Sequence, residues 1–234
     1  MKSFHIALIA LLVMSDITFG NAGNDKLFDL CTSPDASPEM IDLILSSSAD
    51  VNIKDSSEFA RTPLMYAVSS AGNVEVINSL IRAGADINAR DVKKMTPLMH
   101  AAFANQNPEI LKVLLASGAS VNDRDESGRT ALTFSVMGAG LLEPELLNTL
   151  IKSSADVNIS DDFGTSILME AARTMNIYES WNSAIINPEI FRILLKAGAD
   201  IDAQTRTGLT VFDFAGNDNV RKALYDAINN LQEK

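Results

Sequence analysis

Thr62-Pro63-Leu64-Met65-Tyr66-Ala67 returns 34 residues later as Thr96-Pro97-Leu98-Met99-His100-Ala101. The motif continues as Thr130-Ala131-Leu132-Thr133-Phe134-Ser135, as Ser166-Ile167-Leu168-Met169-Glu170-Ala171, and faintly as Thr210-Val211-Phe212-Asp213-Phe214-Ala215, in steps of 34, 36 and 44. A second block keeps the same phase: Ala49-Asp50-Val51-Asn52, Ala85-Asp86-Ile87-Asn88, Ala119-Ser120-Val121-Asn122, Ala155-Asp156-Val157-Asn158 and Ala199-Asp200-Ile201-Asp202. Two separate blocks sharing one phase mark a stack of similar units, each too small to bury its own apolar face.

Each unit can be read physically. A threonine followed by proline at 63 and 97 is a helix start, with the hydroxyl as cap and proline at the first helical position. Second helices begin similarly at Ser37-Pro38-Glu39, Asn107-Pro108-Glu109, Asn187-Pro188-Glu189 and, more weakly, Glu143-Pro144-Glu145. Six of the seven prolines thus mark helix starts. The glutamates fall in first turns, where the helix dipole favours negative charge. Ile77, Leu80 and Ile81, like Ile110, Val113 and Leu114, recur at helical spacing and predict a continuous core. Gly84, Gly118 and Gly198 occupy the left-handed position after those helices, where Ser48 and Ser154 predict slight strain.

These blocks resemble the ankyrin-repeat family, whose signature is T-P-L-H-x-A with a period near 33. The resemblance runs from about Asn24 to Leu231. It implies an all-α solenoid of about five full repeats plus a C-terminal capping unit, with helix-turn-helix units joined by β-hairpin-like loops. The first unit is degenerate, with Leu27, Leu30 and Cys31 in place of Leu64, Ala67 and Val68. Where the signature has histidine, this chain has Met65, Met99, Thr133, Met169 and Asp213, which predicts fewer polar ties between units and lower stability. The fifth unit is the longest, and its extra length lies between Arg173 and Ile186. Ile177, Tyr178, Trp181 and Ile185 share one helical face there, predicting a prolonged first helix or a helical flap. Gly138-Ala139-Gly140 predicts a loosened loop in the unit before.

The N-terminus reads as an address. Lys2 precedes an apolar run from Phe4 to Met14, interrupted only by His5 and too short for a bilayer span, which needs about 20 residues. Cleavage after Ala22 would divide the chain into a signal peptide, 1–22, and an ankyrin-repeat domain, 23–234, placed in a periplasm or secreted. Lys2 and Asp16 cancel, so the charge of −11 belongs to the mature chain.

That acidity, with 19 Lys+Arg against 30 Asp+Glu, argues against nucleic-acid partners. One cysteine and two histidines exclude a disulfide framework and zinc sites of Cys/His spacing. Cys31 reads as a buried, inert thiol. Asp123-Arg124-Asp125 and Asp161-Asp162 look like paired carboxylates but fall in the turns where the family places aspartate. No catalytic constellation, phosphate loop or cofactor motif is present, so the expectation is a non-enzymatic module without cofactor or metal.

The resemblance implies protein binding through hairpin tips and the concave face of the first helices. By phase, tips fall at Glu58, Phe59, Arg61, Val92, Lys93, Met95, Glu126, Arg129, Asp162, Phe163 and Arg206. The concave face falls at Tyr66, Ser69, His100, Phe103, Phe134, Met137 and Arg173. The predicted contact set is Phe59, Tyr66, Lys93, Met95, His100, Phe103, Arg129, Phe134, Met137, Phe163 and Arg173, with Tyr178 and Trp181 as the sharpest pair. The expected partner is a protein, neutral or basic at the contact face, bound by a monomer with no membrane attachment after signal removal. An inhibitor or immunity-type protein that blocks a toxin or enzyme is the alternative reading.

Overall fold

The computed structural model describes residues 22–47, 49–70, 73–104, 107–138, 143–179 and 187–232. Within them the chain is all-helical and contains no strand. Six helix pairs follow in order: α1 (Ala22–Thr32) with α2 (Pro38–Ser46), α3 (Pro63–Ser69) with α4 (Val74–Arg82), and α5 (Pro97–Ala104) with α6 (Pro108–Ala116). Then come α7 (Ala131–Met137) with α8 (Pro144–Lys152), α9 (Ile167–Glu179) with α10 (Pro188–Lys196), and α11 (Val211–Phe214) with α12 (Asp218–Gln232). First helices pack on first helices and second on second, as in a solenoid. The repeat count and the helix-turn-helix architecture agree with the sequence reading.

Prolines 38, 63, 97, 108, 144 and 188 each occupy the first position of a helix. Asn73, Asn107 and Asn187 cap second helices by accepting the N–H of Glu75, Glu109 and Glu189 at 3.0–3.1 Å. The core is one continuous cluster: Leu27, Ile41, Leu64, Ile77, Leu98, Ile110, Leu132, Leu147, Leu168, Phe191 and Leu224 are almost fully buried within it. A single such side chain contributes about 1.5–3 kcal/mol, so stability accumulates along the stack. Cys31 is buried among these residues, and burial pushes its thiol up to about 12.

Gly84, Gly118 and Gly198 have φ of 90°, 94° and 90°, and Ser154 takes the same left-handed place at 67°. Ser48, Ala139 and Gly140 lie outside the described residues. The described part of the fifth unit's extra length, as far as Glu179, prolongs the first helix: α9 has 13 residues, against 7 in α3 and α7, and residues 180–186 lie outside the described residues. Trp181 lies outside the described residues, and of Tyr178 only the backbone is described.

Asparagines stitch the loops together. Asn52 Nδ2 donates to the Gly84 carbonyl at 3.0 Å while Asn52 Oδ1 accepts the Asp86 N–H at 2.7 Å. Asn88, Asn122 and Asn158 repeat both bonds to the next unit. The recurring Asn of the second block is thus an inter-unit clamp, a role spacing alone did not disclose.

Candidate protein-binding face

The hairpins that link units are built on an acidic turn. Asp55, Asp91, Asp125 and Asp161 each donate a backbone N–H to a carbonyl four or six residues on, closing the loop at 2.9–3.1 Å. In each the side chain accepts further turn N–H groups, as Asp161 Oδ1 does from Phe163 and Thr165 at 2.9 and 2.8 Å. Successive tips are tied by one backbone bond apiece: Val92 N–H to Phe59, Glu126 N–H to Lys93, Asp162 N–H to Ser127, and Arg206 N–H to Phe163. The apparent carboxylate pairs are therefore turn-forming groups. Asp125 is buried, and Asp123 pairs with Arg90 at 2.8 Å.

Each of the first three aspartates is also joined to a side chain of its own unit. Tyr66 Oη donates to Asp55 Oδ2 at 2.5 Å, His100 Nε2 lies 2.9 Å from Asp91 Oδ2, and Arg129 Nε and Nη2 donate to Asp125 Oδ2 at 2.9 and 2.7 Å. The Arg129 guanidinium also lies 4.8 Å over the Phe134 ring. Burial alone would raise the Asp91 carboxyl, but bonds from His100 and the Met95 N–H outweigh it and hold it below the usual range. Asp55 behaves alike: burial is outweighed by Ser57, Tyr66 and the turn amides. Tyr66 is correspondingly raised, chiefly because its hydroxyl proton is held by Asp55. The tips are thereby fixed to the helices behind them.

His100 and Phe134 require correction as contact residues. They are 4% and 3% exposed, because their unit's hairpin folds over them. They support the surface instead: Phe134 meets the exposed Phe103 edge-on at 5.9 Å and carries Arg129. The remaining described members reach solvent to differing degrees. Phe103 and Phe163 are 41% and 68% exposed. Lys93 is exposed and pairs with Glu126 at 2.7 Å, and Arg173 is exposed and pairs with Glu170. Phe59 is half-buried under the Arg61 guanidinium, Tyr66 half-buried edge-on to Phe28, and Met95 and Met137 half-buried against the core. Val92, at 58%, and Ile177, at 51%, extend this face beyond the predicted contact set. The buried Glu170 was missed because a carboxylate inside the signature motif carries no sign of its arginine partner.

The acid surplus is unevenly placed. Exposed Asp50, Asp86, Asp156, Asp200 and Asp202 sit in the loops after second helices, and exposed Glu75, Glu109 and Glu145 at second-helix starts. Tips and first helices instead mix Lys93, Lys94, Arg173 and Arg206 with Glu58, Glu126 and Asp162.

A rigid row of hairpin tips over a face of apolar and arginine side chains defines a solenoid of the protein-binding class. The family model "Ankyrin repeats (3 copies)" matches residues 27–125, 64–161 and 98–205. The chain belongs to the ankyrin-repeat family, whose members are generally protein–protein interaction modules. A comparison with curated proteins finds no match.

Proposed function

We propose that this chain is an exported, non-enzymatic binding module that holds one protein partner across its hairpin tips and the adjoining first helices. The observation that supports it best is Val92, Phe103 and Phe163, large apolar groups exposed on elements that are otherwise pinned by hydrogen bonds. Such groups contribute to an interface with little ordering cost when their backbone is already fixed. Export rests on the Phe4–Met14 run and its small flanking residues. The net charge of −11 favours a partner that is neutral or basic as a whole through long-range steering, even though the tips themselves are mixed.

The test is affinity capture from an envelope fraction with the unaltered chain and a Val92→Ser, Phe103→Ser, Phe163→Ser triple variant of unchanged circular dichroism. A partner held by the first and lost by the second is the expected result. Equal capture by both removes this face from binding. An assay of the captured partner then separates inhibitor from scaffold: an inhibitor abolishes its activity, a scaffold leaves it intact. Sequencing the mature N-terminus checks export, and a chain still beginning at Met1 in the cytosol would sink it.

A further inference from the structure

Arg129 and Arg173, 44 positions apart in the chain, line one cleft of about 240 Å³ at the hairpins of the last full units. Each guanidinium is held by a buried carboxylate. Asp125, whose side chain is 0% exposed, accepts Nε and Nη2 of Arg129; Glu170, at 6%, accepts Nε at 3.1 Å and Nη2 at 2.6 Å from Arg173. Those bonds leave Nη1 of both arginines with its N–H groups available for another acceptor. The hydroxyl-bearing Ser127 and Thr165 line the same cleft, and Phe163 forms an exposed apolar wall.

A guanidinium oriented by a buried carboxylate is pre-organised, so a second acceptor gains bonds at little cost in side-chain entropy. Two such groups facing one space favour an anion with two oxygens, the acceptor that matches their planar donors. A lysine or arginine would have to compete for carboxylates that already accept bonds, Glu170 from Arg173 and Asp161 Oδ1 from the Phe163 and Thr165 amides.

We propose that this cleft receives the carboxylate of an aspartate or glutamate of the partner protein, with a neighbouring apolar side chain laid on Phe163. The proposal rests on the binding-module reading above and specifies its chemistry: a partner neutral or basic overall that presents one acidic anchor.

Nitrogen-15 NMR of the full chain tests it with three peptides, acetyl-Leu-Glu-Leu-amide and its Gln and Lys counterparts, titrated to millimolar concentration. The glutamate peptide is expected to shift the Nε–H signals of Arg129 and Arg173 and the amides of Ser127, Phe163 and Thr165 saturably. The glutamine peptide should bind about tenfold more weakly, the loss of one charge-assisted pair, and the lysine peptide should leave these signals unmoved. Equal binding of Glu and Gln peptides, preference for Lys, or no saturable shift with Glu overturns the proposal. Arg173→Gln should weaken the glutamate peptide by about tenfold; if that variant unfolds, the Glu/Gln comparison on the unaltered chain still decides. A captured natural partner that is lost on Val92 and Phe103 substitution yet binds Arg173→Gln as tightly would overturn the carboxylate site while leaving the module reading in place.

Discussion

At position 99 a thioether stands where the family signature has histidine, and it closes the helix cap. Met99 Sδ accepts the Thr96 N–H at 3.4 Å while Thr96 Oγ1 accepts the Met99 N–H at 3.3 Å. Met65 and Met169 repeat the pattern, Thr133 supplies a hydroxyl, and Asp213 a carboxylate at 2.7 Å. Within its own unit each substitute turns back to the cap N–H, though sulfur is a weak acceptor. Met99→Leu keeps the volume but leaves the buried Thr96 N–H without this partner, so a loss of about 1 kcal/mol is expected in urea unfolding. Ser154→Gly should go the other way. Its φ of 67° suits glycine, and relief of left-handed strain should raise stability by about 0.5–1 kcal/mol. The Cys31 thiol, buried and pushed up to about 12, should react with a maleimide at pH 7 only as fast as the chain opens, and promptly in urea. Prompt native labelling would contradict that burial.

Among elements, the hairpins carry the acid sensitivity. The Asp55 and Asp91 carboxyls are lowered by the bonds they accept, so each adds stability above its unfolded value, about 3.9. That contribution is lost as pH falls through the lower folded value. The stability difference between the unaltered chain and Asp91→Asn should therefore be largest near neutrality and shrink below about pH 4. A difference that does not vary with pH would show that Asp91 acts through packing alone. The inter-unit clamps make a second prediction. Asn88→Ala removes both the bond to the Gly118 carbonyl and that from the Ser120 N–H, costing about 1–2 kcal/mol in denaturant unfolding.

The molecule as a whole is one row of units whose stability comes from nearest neighbours. Its last helix, α12, closes the row by burying Val220, Leu224 and Ala227. Deleting 218–234 strips cover from α10, where Ile190, Phe191 and Leu194 are almost fully buried. Loss of hydrogen-exchange protection should then be greatest in α10 and diminish toward α1, the far end of the row. Uniform loss along the row would mean that the stack unfolds only as one block.

The architecture was legible in the chain because it depends on local chemistry repeated in phase. Proline at a helix start, glycine or serine at a left-handed exit, and apolar residues at helical spacing each act within a few residues, and repetition multiplied the signal. The face was only partly legible. Phase placed Phe103 and Phe163 at exposed positions, but it placed His100 and Phe134 on the same face, and those are buried because their own unit's hairpin folds over them. The pairing of Arg129 with Asp125 was within reach of a four-residue spacing. That Arg129 and Arg173 line one cleft was not, since it depends on how one unit rotates against the next. Local propensities operate along the chain and can be read there; which side chains share a cleft depends on the stacking of units, a distance that only the assembled solenoid sets.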